Sequence, residues 1–153
     1  MNDSIKGIVT LIKETATGNN WTGINTETAL HGITAEQAVK RIHANHLNIA
    51  ELTAHLTCWN MVIARRLNGE DYQPEKEEDF PVINFLSESK WEALKAAFMD
   101  SFIFLETRMV SKEDSILNQP IFEGGTSAYR NLHGQVSHLH YHLGQIVLLK
   151  KLL

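Results

Sequence analysis

Two histidines four residues apart, His138 and His142, stand in the run Ser137-His138-Leu139-His140-Tyr141-His142-Leu143-Gly144-Gln145. A helix turns about 100° per residue, so positions four apart share a face. Neutral imidazoles so placed can grip one divalent metal ion from a single helix. The same face, carried further each way, collects Asn131 and Gln145, with Gln135 at its edge. An apolar stripe of Leu132, Val136, Leu139, Leu143, Ile146 and Val147 runs beside it. The pair alone is weak evidence, because this spacing also arises by chance, so a metal site needs a further donor.

That donor is found upstream, at His55 in Glu51-Leu52-Thr53-Ala54-His55-Leu56-Thr57-Cys58-Trp59-Asn60. Glu51 and Asn48 lie four and seven positions earlier and fall near its face. Two helices thus each carry a polar stripe containing imidazole. If they face one another inside an apolar bundle the stripes need partners, since an unpaired buried polar group costs about 1–3 kcal/mol. A metal ion on His55, His138 and His142 satisfies three imidazoles at once. Three protein ligands leave a position open, as in catalytic rather than structural sites. Asn48, Glu51, Asn131 and Gln145 would then stand behind the ligands, where they could accept a far ring N–H and fix its tautomer. Two alternatives stay open here. Glu51 could be a fourth ligand or a general base, and Gln145 could make an ordinary interhelical hydrogen bond.

The other five histidines are set aside. His31 precedes Gly32 on a loop, and His43 lies with His46 on the expected long helix. His46 lies nine positions before His55, about 180° away on a helical wheel unless the helix breaks. His133 and His140 point away from the His138 stripe. Cys58, the single cysteine, excludes an internal disulfide. Among Leu56, Trp59 and Met61 it reads as a buried, inert thiol.

These residues must be positioned by an all-α chain. The strand signal is poor throughout, and four helices are the economical reading. The first runs from Ser4 to Thr17 and stops at Gly18-Asn19-Asn20. A connection follows with Trp21, read as a plug on the bundle end or as part of a pocket wall. Thr34-Ala35-Glu36-Gln37 has the form of a capping box. From it one helix is expected to continue to Leu67, roughly 50 Å long unless it bends or breaks. The acidic stretch 70–86 contains Glu70, Asp71, Glu75, Glu77, Glu78 and Asp79, and its Pro74 and Pro81 forbid helix continuation at their positions. It reads as a solvated loop, with a lid over the site as the second reading. A third helix is expected from Ser89 to Met109 with an aromatic core stripe. The last runs from Thr126 or Ser127 to Lys150-Lys151, where Gly144 would allow a close helix approach.

With 153 residues, 43% hydrophobic and 21% charged, one domain spanning 1–153 is expected. A net charge of −4 argues against nucleic acid as a partner. Nothing suggests membrane binding, and the first residues lack a basic leader and apolar run, so a cytoplasmic protein is expected.

Three further stretches, Asn20-Trp21-Thr22-Gly23, Gly32-Ile33-Thr34-Ala35-Glu36-Gln37-Ala38 and Glu51-Leu52-Thr53-Ala54-His55, accompany His138-Leu139-His140-Tyr141-His142-Leu143-Gly144-Gln145-Ile146. Together they resemble the DinB-like family, also called the YfiT-like metal-dependent hydrolases, over nearly the whole chain. The last stretch is similar to that family's C-terminal His–Tyr–His–Gly–Gln signature. The resemblance implies an up-down-down-up four-helix bundle with a long second crossover. It implies a divalent metal, commonly nickel or zinc, on the positions His55, His138 and His142. It further implies a small-molecule substrate, often a low-molecular-weight thiol in S-transfer or isomerisation, and in some members a homodimer. Rival readings are a non-catalytic metal- or ligand-binding dimeric bundle, and histidines that are merely satisfied core residues.

Overall fold

The computed structural model describes residues 4–153, and the chain's opening residues, read above as lacking a leader, otherwise lie outside them. Seven α-helices and one 3₁₀ turn, Asp114–Asn118, are found among the described residues, and the only extended pairing is an isolated bridge between Pro120 and Ser127. Four helices are long: α1 (Ile5–Ala16), α4 (Ile49–Arg66), α6 (Glu88–Val110) and α7 (Ala128–Leu152). Short helices α2 (Thr26–Leu30), α3 (Ala35–Val39) and α5 (Lys76–Asp79) fill the connections. Helix α4 packs on α6 and α7, and α1 packs on the same two helices. Their apolar faces meet in one core around Trp91, Phe98, Leu105, Leu132 and Leu139. No helix among the described residues is long and apolar enough to cross a membrane.

Each long helix starts where a side chain replaces the missing backbone partner. Ser4 Oγ accepts from Gly7 N–H at α1, Ser87 Oγ from Lys90 N–H at α6, and Ser127 Oγ from Arg130 N–H at α7. Thus α6 begins at Ser87 rather than at the expected Ser89 box. The α1 start is also tied across the fold, since Ile5 N–H donates to Asp114 Oδ1 at 2.9 Å. Trp91 is fully buried, and its indole N–H donates to the Ile33 carbonyl at 2.7 Å.

The continuous helix expected from Thr34 to Leu67 does not form. It ends at Val39 and restarts at Ile49. Asn48 makes the break: its backbone is extended (φ −88°, ψ 174°), and its side chain accepts from Glu51 N–H while Glu51 Oε2 accepts from Asn48 N–H. This reciprocal cap is anchored further, as Asn48 Nδ2 donates to the carbonyls of Val39 and Ile83. At 1.5 Å per residue the 18 residues of α4 span roughly 27 Å.

Trp21 neither plugs the bundle nor lines a pocket, since it is fully exposed. It sits in a tight turn in which Gly23, at φ +71°, donates its N–H to the Asn20 carbonyl. The Asn20 side chain spans the turn, donating to the Glu14 and Ile24 carbonyls and accepting from Thr22 N–H. Gly144 is likewise exposed, and a side chain there would meet open space, so no helix approaches it closely. Cys58 is half-buried rather than buried, and burial with the nearby Asp79 and Glu78 charges pushes its thiol up to about 11.

Candidate metal centre

His55, midway along α4, and His138 and His142, one turn apart on α7, converge between the two helices. Their nitrogens lie within 4.8 Å of one another, and the Nε2 atoms of His55 and His138 are 3.0 Å apart. The three ring centroids are 4.6–4.9 Å apart with the planes steeply inclined, so the imidazoles meet edge to face around one point. Two contacts fix the helix directions: Gln135 meets Asn60 while His138 meets His55. As α4 advances, its α7 partner recedes, so the two helices run antiparallel along the site.

The far ring nitrogens settle which way each imidazole presents its lone pair. His55 Nδ1 donates to Asp79, whose carbonyl lies at 2.9 Å and whose Oδ1 lies at 2.7 Å. Both atoms can only accept when Asp79 is ionised, so the proton sits on Nδ1 and a neutral His55 turns a bare Nε2 inward. His142 Nδ1 donates to Gln145 Oε1 at 2.9 Å, and its inner nitrogen makes no hydrogen bond. A single N–H on His138 could serve His55 but would leave His142 unmatched, whereas a cation serves all three. A divalent ion would be held by these three inward nitrogens, which suit its chemistry as neutral imidazole donors. No fourth imidazole, thiol or carboxylate joins the cluster among the described residues. A metal ion therefore fits this donor set with room for another ligand.

The protonation balance supports the same state. Burial, followed by the His142 and His55 charges, pushes His138 down to about 4. Burial also holds His142 and His140 below the usual histidine range. These side chains are neutral at pH 7, as ligation requires. In the unfolded chain His138 titrates near 6.5, so between about pH 6.5 and 4 the unfolded state binds a proton there that the native state refuses, and His142 and His140 act in the same direction. Stability of the metal-free protein is expected to fall as the pH falls through that window. A melting temperature clearly lower at pH 5 than at pH 7.5 checks it, and equal values contradict it.

Of the residues expected behind the ligands, Gln145 does touch one. Asn131 lines the adjoining cleft, but its amide donates to Thr126 Oγ1 and the Ser127 carbonyl. Asn48 and Glu51 are a correction. Both are buried in the α4 cap, where Glu51 also pairs with Arg41 and accepts from Ile83 N–H at 2.9 Å. No hydrogen bond joins either to a ligand imidazole, so the fourth-ligand and base readings of Glu51 fall away. The acidic connection takes the expected Glu51 position instead. Asp79 ends α5 and orients His55, while it also accepts from the Trp59 indole N–H at 2.7 Å. Phe80 stacks on the His55 ring, 4.5 Å between centroids at 17°. Of the five histidines set aside, none enters the cluster; His140 Nε2 meets Thr15 Oγ1 at 3.2 Å and His133 packs on Tyr129.

A cleft of about 470 Å³ opens directly onto the three histidines, walled by Trp59, Ile63 and Arg66 from α4 and by Arg130, Gly134 and Gln135 from α7. A family model described as the DinB superfamily matches residues 21–146. The chain belongs to the DinB superfamily. Comparisons with curated proteins and with solved structures returned no match. In this DinB protein the matched span holds α2 to α6 and most of α7, with all three histidines inside it. Sequence reasoning missed Asp79, Phe80, Trp59 and Arg66. The last two carried a signal, since Trp59 and Arg66 follow His55 at intervals of four and eleven on one helix face.

Proposed function

We propose that this DinB protein is a metal-dependent enzyme acting on a small molecule, with His55, His138 and His142 holding a divalent ion. The carrying observation is that three inward nitrogens, with no fourth protein donor, line the floor of an open cleft. Imidazole donors suit zinc and nickel, the two metals the family resemblance implies. The up-down-down-up arrangement of the four long helices, and a cytoplasmic homodimer, belong to the same reading. A bound divalent ion supplies Lewis acidity, lowering the pKa of a water or thiol at its open position.

The chain's own residues prepare that position. Asp79 and Gln145 lock the His55 and His142 tautomers. Phe80 and Trp59 shield the ligands and lower the local polarity. The cleft lining contains no cysteine, serine or lysine, and its one hydroxyl is Thr126. Cys58 lies outside it with a raised pKa, the opposite of an activated nucleophile. The nucleophile is then water or a thiol co-substrate, and thiol transfer is preferred on the family resemblance.

The test is metal analysis of protein purified without a histidine tag, with thiol transfer to an aryl halide and hydrolysis of an aryl ester assayed alongside. Close to one divalent ion per chain and turnover abolished by chelation are expected; metal-free protein whose properties do not respond to added metal overturns the reading. Asp79→Ala is expected to weaken metal affinity about 10–100-fold, the usual effect of losing the partner of a ligand imidazole. A competition titration against a chromophoric chelator measures it, and an unchanged affinity rules out that role.

A further inference from the structure

The cleft has two chemically different ends. On α4, His55, Trp59, Ile63 and Arg66 follow one face, and on α7 Arg130, Gly134 and His138 do the same. Because the helices are antiparallel, both arginines fall at the end away from the histidines. Arg66 is 8% exposed, yet no carboxylate oxygen lies within 4.0 Å of it among the described residues. Its Nε donates to the Tyr72 carbonyl and its Nη2 to Gln73 Oε1, which explains how it is held. Nη1 makes no hydrogen bond among the described residues. The guanidinium leans back over Trp59, 5.6 Å from the ring, and Trp59 in turn borders His138 at 5.8 Å. The exposed Asp71 carboxylate is the charge that acts on Arg66, yet makes no ion pair with it, and a buried cation paired with no carboxylate is unfavourable unless something else supplies the anion. Asp79, the one carboxylate of the lining, is already committed to His55 and Trp59.

Gly134 gives an independent indication. It lies inside α7, where glycine is about 1 kcal/mol worse than alanine. Its φ is not in the left-handed region, and an added Cβ would meet no atom within 4 Å. Neither backbone nor packing demands glycine there. A side chain at 134 would instead stand in the cleft, midway between Arg130 and His138 on the same face.

We propose that the cleft selects a small organic anion, its acidic group on Arg66 with Arg130 at the rim, its apolar body along Trp59 past Gly134, and its reacting end at the histidines. This names the substrate class for the metal-enzyme reading and rests on it for the chemistry at the histidine end, while the anion site stands on Arg66 alone. A guanidinium offers paired N–H donors matched to a carboxylate, and such charge-assisted bonds are the strong ones.

The probes are 4-phenylbutyrate and its uncharged amide, titrated by calorimetry into the protein as purified and after chelator treatment, with metal content measured on each sample. The acid is expected to bind roughly tenfold or more tightly than the amide in both samples, as a charged hydrogen bond implies. In Arg66→Gln the ratio is expected to drop to about threefold or less, while Arg66→Lys, which keeps the charge without the paired donors, falls between the two. Gly134→Leu should weaken acid and amide alike by roughly tenfold without lowering the melting temperature, because it fills ligand space and not core. Should Arg66→Gln fail to fold, the acid-to-amide ratio in the unaltered protein and the Gly134→Leu result still decide. Equal binding of acid and amide, no binding of either, a ratio unchanged in Arg66→Gln, or Gly134→Leu binding like the unaltered protein overturns the proposal. Protein lacking metal but showing the acid preference would sink the metal reading and leave the anion site standing.

Discussion

His55→Ala is expected to lower divalent metal affinity by more than about 100-fold, beyond the loss from removing a ligand's hydrogen-bond partner. Three histidines are the donors found in the cluster among the described residues, so removal of one would leave a two-histidine pair on α7 that cannot hold an ion against water and buffer. Added metal should raise the melting temperature of the unaltered protein and leave that of His55→Ala where it was, because only binding to the folded state stabilises it. His140→Ala is the control. It stands between the two α7 ligands in sequence, yet its ring meets Thr15 of α1. Retained metal response in His55→Ala, or its loss in His140→Ala, would refute the assignment.

Glu51→Ala is expected to reduce stability by about 2–4 kcal/mol, the range for stripping one partner from a buried, hydrogen-bonded charge pair. Glu51 is 2% exposed and satisfies the Arg41 guanidinium, Asn48 N–H and Ile83 N–H together. Its removal leaves the Arg41 guanidinium, Asn48 N–H and Ile83 N–H without their shared acceptor, so the Asn48 amide alone ties the cap to Val39 and Ile83. Denaturant unfolding would show a lower midpoint, on the order of 10 °C in a thermal melt for a chain this size. Metal bound per folded chain should stay the same. Intact stability with lost metal would place Glu51 at the ion after all.

Local rules read the helices well where caps and apolar spacing agreed. The four long helices sit within a few residues of the expected spans, apart from the break at residues 40–48. That break was written as Asn48-x-x-Glu51, a capping box inside a run compatible with helix. Reading Asn48 and Glu51 as polar residues beside His55 hid the simpler role. The three histidines could be brought together from spacing because helix periodicity fixes a face at any distance along the rod. Asp79 could not. It lies 24 residues after His55 in a connection of many acids, and only the path of that loop decides which carboxylate turns inward. Trp21 failed for a similar reason, since a turn held by Asn20 and Gly23 points its first inner residue at solvent whatever its hydrophobicity.

His55 and His138 are separated by 83 residues in the chain and by 3.0 Å in space. An ion shared between them is a cross-link, in a protein whose lone cysteine can form none of its own. On the scale of loop-closing disulfides, a tether of that length removes roughly 4.5 kcal/mol of unfolded-chain entropy. Unlike a disulfide, its strength is set continuously by the free metal concentration relative to the dissociation constant. The folded fraction of this chain, and with it the chain's survival against proteases, would then follow metal supply, so that scarcity removes the protein as well as its activity.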